Sequence, residues 1–543
     1  ALENDSKAVV TYFDTRKAFD TLWIEGLFFK FFHKGINGKL WRVLWNSYQD
    51  CEATVLVGGE TTAWYKVHMG VKQGAIMSML YYICYVNDLI SMLNHSDLGI
   101  DVLGMKCCAI AYADDIAVFS LHMLSMQKLI DIAVGYSKLW RFKFSPTKCA
   151  FLMFGESYAE KVARLAINRP LTLDGKDLNE GTEYLHVGIM NRVNWQTPIS
   201  WITSNISRAR RAFYSALGTS LAKTSLSPAS LAKIFVSVSI TKLLYGAGIR
   251  YFSGEETDMY EQFQREMAKL IQNLPKNCPN PVPLATLGWR KMRYLIDLEK
   301  LTFMHRILSR AGNCVYRSIF LKRFFSILYS DTVARFSPVA QIIEICRKYK
   351  ILDEVRSMIL DGQIPSKHVW RIKCKNIVMD HEFSRWRIHL KMYRKLTDFR
   401  IVYSTIDISV WAILPRYNIH LKPACSLMLR LTSGCSPLRI DTDVHLPMTE
   451  RKCALCNSQD IEDLFHMIMR CQYYADLRQY MFDRIRTELT DVCVSHIDRL
   501  SSRMLYYIII GLHYPIPFYD LWSIRVISCQ SVRKMYLRRT ATL

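Results

Sequence analysis

The chain has 543 residues, half of them hydrophobic and 12% aromatic, and lysine plus arginine outnumber aspartate plus glutamate by 71 to 48. This composition excludes extensive disorder, and the length exceeds what one core ordinarily organises, so several domains are expected. A formal charge of +23 calls for an anionic partner, nucleic acid first and an anionic membrane surface second. Sixteen cysteines lie mostly inside apolar runs such as MKCCAIAY, the pattern of reduced core residues and not of a disulfide scaffold. No secretory signal opens the chain. The longest apolar runs, 75–86 and 504–512, are too short to cross a bilayer, so an intracellular protein with no membrane partner is expected.

In chain order, AVVTYFDT (8–15) predicts a buried strand ending on an acid. RKAFDTLWIEGLFFKFFHKG predicts an amphipathic helix closed by Gly35, with Asp20 stabilising its first turn. A Gly58–Gly59 turn joins two short strand-like runs. GAIMSMLYYICYVNDLISML predicts a mostly buried helix, AIAYADDIAVFS (109–120) a hairpin, 123–141 a helix and CAFLMFG a strand. That order suits an α+β unit, an antiparallel sheet with helices on one face. From about 197 long helical patterns take over, broken by four prolines between 275 and 283, and the last hundred residues carry a compact Cys/His cluster.

The hairpin sets Asp114 beside Asp115 on an apolar framework, where like charges raise one another's pKa unless a cation relieves them. Nucleotide polymerisation uses two divalent cations about 3.5–4 Å apart, and magnesium takes one or two carboxylates per ion. A carboxylate ending one strand and two in a turn on its neighbour would meet that demand. Asp14 and Asp114 are placed to do so, with Asp115 the third acid.

YADD, preceded by FDTRKAFD, resembles the reverse transcriptases. The KAFDTLW and GVKQGAIMS forms are similar to motifs A and B of non-LTR (LINE-type) retrotransposon polymerases, and SPTKCAFLMFG and YLHVGI (184–189) to motifs D and E. The resemblance is firm over 8–190 and weaker almost to the C-terminus. It implies a right-hand polymerase palm (1–196), a helical thumb (197–290), a helical basic connector (291–445), a CCHC zinc knuckle (446–480) and a C-terminal helical tail (481–543). It further implies that Asp14, Asp114 and Asp115 hold two Mg2+, that Phe19 is a steric gate against a 2′-hydroxyl, and that Gln73 and Gly74 contact the incoming nucleotide and template. Lys148 would approach the triphosphate. Ser145 stands where motif D commonly has Asn, and His186 where motif E commonly has Gly. Because the chain opens at motif A, the fingers and any endonuclease are expected to lie upstream, making this an N-terminally truncated form whose own polymerisation would be inefficient.

Cys453, Cys456, His466 and Cys471 follow the spacing C-x2-C-x9-H-x4-C, which can close a tetrahedral zinc site and resembles the CCHC element of the same polymerases. His and Cys five apart are misaligned on an α-helix, so fraying of one turn is expected. Arg208, Arg210 and Arg211 lie on a predicted thumb helix where duplex phosphates could be gripped. The segment 367–396 interleaves basic residues with Trp370, Trp386 and Tyr393. It reads equally as a base-stacking surface or as a helix with a core stripe and a solvated basic face. The reaction implied is transfer from a dNTP to a primer 3′-hydroxyl on an RNA template, primed at a chromosomal DNA target and therefore nuclear. Two alternatives stay open: a group II intron-type reverse transcriptase and maturase, and an inactive nucleic-acid-binding remnant. Nothing in the sequence sets an oligomeric state.

Overall fold

The computed structural model describes residues 7–102, 105–167, 170–193, 198–218, 225–311, 314–329 and 337–543. The chain divides into two compact units, one of residues 1–196, 311–326 and 331–334, the other of 197–310, 327–330 and 335–543. The expected boundary between 196 and 197 lies outside the described residues.

The first unit is built on β1 (Ala8–Phe13), buried along its whole length. The side-chain period of two explains this: Val9 and Phe13 face one apolar cluster, Val10 and Tyr12 another. The main cluster is completed by α1 (Ile24–His33), α2 (Ser78–Asn94) and α3 (Met123–Leu139), which meet Ile116 and Val118. The strands β2 (Ala109–Tyr112), β3 (Asp115–Ser120), β4 (Ala150–Phe154) and β5 (Asn179–Glu180) join β1 in the order β5–β4–β1–β3–β2. On the other face, the hairpin of β6 (Glu183–His186) and β7 (Ile189–Arg192) lays Tyr184 flat on Tyr12, ring centroids 4.3 Å apart.

Two expectations are corrected, and one open alternative is decided. The sheet is mixed: β4 and β5 pair in parallel, whereas the other pairings are antiparallel. The first helix begins at Ile24, because 16–20 form turns with Lys17 in the left-handed region (φ 49°), so Asp20 precedes the helix and Glu25 occupies its first turn. Trp370 and Trp386 are not open to bases. On the helix Lys367–Lys391 they belong to a buried i, i+4 stripe with Cys374, Val378, Glu382 and Leu390, and their indole N–H groups donate to the carbonyls of Leu301 and Pro281. A core stripe with basic residues on the exposed side is what that segment forms.

The second unit is helical. It includes α4 (Ile199–Leu217), α5 (Gly254–Gln272), α6 (Met292–Leu308), α7 (Lys367–Lys391) and α8 (Phe518–Thr542). Ser253 caps α5 by accepting from the Glu256 N–H, and Asn273 ends it in the left-handed conformation. No helix among the described residues is long and apolar enough to cross a membrane. All sixteen cysteines are free.

One buried cation in this unit makes stability depend on pH. Lys300 on α6 is fully buried, with its ammonium donating to the Arg250 carbonyl. Burial, aided by the Arg250 charge, pulls its pKa down to about 7. Between that value and the ordinary lysine range, the unfolded chain binds a proton that the folded chain does not. Stability from this group therefore rises with pH across the window. Lys300→Met should remove that contribution: on going from pH 6 to pH 9, thermal denaturation should show the wild type gaining more than the variant.

Candidate active site and metal centre

The pairing of β1 with β3 runs to Phe13 opposite Ile116, so the next residue of each strand, Asp14 and Asp115, emerges at the same end of the sheet. β2 and β3 are joined by the two-residue turn Ala113–Asp114, with Ala113 at φ 54°. Left-handed backbone at the first turn position is the geometry of a tight hairpin turn that normally takes glycine, so Ala113 carries strain. The turn holds Asp114 at the hairpin tip. Asp14, Asp114 and Asp115 are all half-buried.

The charges feel one another. Burial raises the Asp114 pKa, the Asp115 and Asp14 carboxylates raise it further, and Lys148 opposes them. Lys148 reaches across with its ammonium 3.5 Å from the Asp14 carboxylate, although its side chain is 69% exposed. The backbone fixes Asp14 from the motif D side: its carbonyl accepts the Ser145 N–H at 2.9 Å, and its own N–H points at the Cys149 sulfur at 3.2 Å. Ser145 thus acts through its main chain, which any residue type would supply. The structure therefore gathers Asp14, Asp114, Asp115 and Lys148 at one end of the sheet. A cradle of hard oxygens in which the Asp114 proton affinity is raised fits divalent cations such as Mg2+.

Phe19 lies on the adjoining turn, half-buried, with its ring 5.1 Å from that of Tyr82 on α2. Tyr82 is itself close enough to Asp114 and Asp14 for their charges to add to burial in raising its hydroxyl pKa. Gln73 is exposed and donates to the Asp20 carboxylate at 2.6 Å, which is where Asp20 spends its charge. Gly74 has φ 83° and open space where a Cβ would stand. A residue that sequence reasoning passed over is Gly70. Its N–H donates to the Leu22 carbonyl, its neighbour Val71 donates to Phe19, and a Cβ on it would lie 2.7 Å from the Asp20 carbonyl oxygen. Its φ of 90° and that close approach make glycine obligatory, and they clamp the GVKQG loop onto the turn carrying Phe19. The glycine opening GVKQG was the available signal.

In the second unit, Cys453, Cys456, His466 and Cys471 are brought together. Among the described residues they form the one group of three or more potential metal ligands whose donor atoms all lie within 4.8 Å. The Cys453 and Cys471 sulfurs are 3.9 Å apart, and the Cys456 sulfur is 3.3 Å from His466 Nε2. Tetrahedral zinc with its usual bond lengths separates donors by about 3.5–3.8 Å, so the set fits. Fraying is not how His466 and Cys471 meet. His466–Arg470 forms a π-helical turn whose closing bond runs from the Cys471 N–H to the His466 carbonyl, and this i to i+5 repeat stacks the two ligands. His466 Nδ1 lies 3.3 Å from an Asp460 oxygen, misaligned for a hydrogen bond but close enough for electrostatic support. The shared Cys453–Cys471 contact draws the Cys453 pKa down and pushes that of Cys471 up.

Arg208, Arg210 and Arg211 are exposed on α4, as expected. Arg210 is held 3.2 Å from Glu266 and over the Phe263 ring, leaving Arg208 and Arg211, three apart and on one face, as the more available pair.

Residues 1–205 match the family model described as reverse transcriptase (RNA-dependent DNA polymerase). The chain is 25% identical over 169 residues to a retrovirus-related Pol polyprotein from the type-1 retrotransposable element R2 of Popillia japonica, covering 31% of this chain and 27% of that protein. It is 24% identical over 253 residues to the RNA-directed DNA polymerase from the mobile element jockey of Drosophila melanogaster, covering 45% of this chain and 26% of that protein. The chain thus spans about a quarter of the length of each of these relatives. A telomerase from Candida tropicalis, solved with a fragment of telomeric RNA, aligns over 61% of this chain and 51% of its own at 11% identity and a TM-score of 0.26.

Replacing Gly70 by Ala should lower the denaturation midpoint of the first unit. A strained backbone plus a backbone clash costs about 1–3 kcal/mol, and urea titration followed by circular dichroism reads it.

Proposed function

We propose that this chain, whose residues 1–205 match the reverse transcriptase family, is a reverse transcriptase of the non-LTR retrotransposon kind, and that its first unit is a polymerase palm extending a primer 3′-hydroxyl on an RNA template. The observation carrying this reading is the convergence of Asp14, Asp114, Asp115 and Lys148 at one sheet end. Asp14 and Asp114 hold two Mg2+, with Asp115 the third acid. When bound, such a pair activates the attacking hydroxyl and steadies the leaving pyrophosphate. Phe19 presents an apolar ring edge to the sugar, excluding a 2′-hydroxyl without offering it a hydrogen bond. Gln73 and Gly74 line the approach of the incoming dNTP and template. Lys148, tethered by charge to Asp14, delivers a proton toward the departing phosphate.

Downstream, residues 197–290 act as the thumb, with Arg208 and Arg211 on template–primer phosphates and Arg210 supported by Glu266. Residues 291–445 form the basic connector, 446–480 the zinc knuckle and 481–543 the tail. The four-ligand set Cys453, Cys456, His466 and Cys471 is closed, which suits one structural Zn2+ supporting an RNA- or DNA-binding surface. The relatives are named for mobile elements. Target-primed synthesis on chromosomal DNA, in the nucleus, is the setting we infer.

On a primed RNA template with Mg2+, the wild-type chain should incorporate labelled dNTP, and Asp114→Asn should lower the rate by about a hundredfold or more. That is the several kcal/mol of lost charge stabilisation at about 1.4 kcal/mol per decade. Equally little incorporation by both would favour the binding remnant.

Metal analysis of the purified chain should find zinc near one per molecule, and Cys471→Ser should lose it and destabilise the second unit. Wild-type protein without zinc would remove the knuckle.

A further inference from the structure

The helices of the first unit hold a feature that chemistry at Asp14 and Asp114 does not use. Between α2 and α3 opens a cavity of about 470 Å³, lined by Asp88, Met92, Ile132, Gly135, Leu139 and Trp140, among others. Its volume falls in the range of binding sites. The buried face of α3 is Met126, Leu129, Ile130, Ala133 and Tyr136. Lys128, Ile132, Gly135 and Leu139 follow one another at i, i+4, i+7 and i+11 along a different face, which the chain leaves open. The apolar surface continues past them onto α1. Phe29, Phe32, Met92 and Leu139 are each at least half exposed, and the Phe29 ring lies 6.4 Å from that of Trp140. Contiguous exposed apolar surface of this kind marks an interaction site.

Gly135 points the same way. It lies inside a helix, and a Cβ on it would meet no atom within 4 Å. Neither conformation nor crowding within the chain calls for glycine there, and alanine would hold the helix better. What glycine supplies is clearance for another chain to approach the helix backbone. The walls around it are fixed in advance: the Trp140 carbonyl accepts the Tyr85 hydroxyl, and the Lys30 ammonium sits 3.8 Å from the Trp140 ring centroid.

Charge selects the occupant. Asp88, the acid of the lining, is taken up by Lys30 at 3.0 Å and Lys34 at 2.7 Å, two cations on one carboxylate. Asp131 lies off the open stripe of α3 and accepts from Gln127. Lys128 stands exposed one turn before Ile132. The groove is thus apolar along its floor and cationic at its rim. A second copy of the chain would bring +23 against +23. We propose that this groove docks a partner protein through an acidic amphipathic helix, whose apolar residues enter the cavity and cover Phe29 and Phe32 while its carboxylates meet Lys34 and Lys128. Docking there uses none of the residues placed in polymerisation.

Fluorescence anisotropy of the full chain at low salt tests this, with a labelled synthetic peptide of about 15 residues carrying Leu and Phe at i, i+3, i+4 and i+7 and Glu between them. The wild type should bind it about tenfold or more tighter than a scrambled peptide of the same composition, and than one with Lys in place of Glu. Gly135→Leu fills the cavity from a position with open space around it. This variant and Leu139→Asp should each weaken binding about fivefold or more, with unchanged circular dichroism. Gly135→Ala should raise the thermal midpoint, because the chain's own packing does not need the glycine. No binding by the wild type, equal binding of either control peptide, no loss in the two weakened variants, or a lowered midpoint in Gly135→Ala overturns the proposal. So does self-association in sedimentation that Gly135→Leu abolishes, which would assign the groove to a second copy.

Discussion

The antiparallel pairing of β1 with β3 is the constraint on which the rest depends. Residues a hundred positions apart become neighbours because Phe13 registers with Ile116, which brings the acid after β1 level with the acids at the start of β3. Register in a sheet buried on both faces is hard to slip, since a shift of one residue would turn Val9 and Phe13 out of one cluster and Val10 and Tyr12 out of the other. The apolar residues therefore do more than fill space. They fix where three negative charges must stand, and the core bears the cost of keeping those charges together.

Around that fixed point the surrounding segments act as clamps. Ser145 and Cys149 hold the Asp14 main chain from one side, and Gly70 and Val71 fasten the loop carrying Gln73 and Gly74 to the turn carrying Phe19. Ser145 clamps through its backbone N–H, so Ser in place of the commoner Asn leaves the geometry intact, whereas Cys149 acts through its sulfur. The metal centre of the second unit follows the same logic with a different device: a π-turn supplies the i to i+5 alignment that an α-helix denies to His466 and Cys471.

How much of this was legible beforehand depended on whether the cause was local. AVVTYFDT declared its strand through a continuous apolar run and AIAYADDIAVFS its hairpin through alternation, and the acids at their ends could be placed from there. The C-x2-C-x9-H-x4-C spacing brought forward four side chains that do converge. What escaped the sequence was set by distant partners. KAFD looks helical, yet Lys17 takes a left-handed turn and the chain is pinned by Gly70, fifty residues on, before α1 starts. Trp370 and Trp386 among basic residues read equally as stacking platforms or core stripe until the carbonyls of Leu301 and Pro281 supply partners for their indoles. The parallel β5 edge, two residues long, is too short to leave a pattern.

The most direct test of the account is an anomalous-scattering map of crystals of the chain grown with Mn2+, primed template and a dNTP. It should reveal two manganese peaks about 3.5–4 Å apart, with Asp14 and Asp114 carboxylate oxygens as ligands. Peaks that avoid Asp14, or a single ion held elsewhere on the first unit, would contradict it.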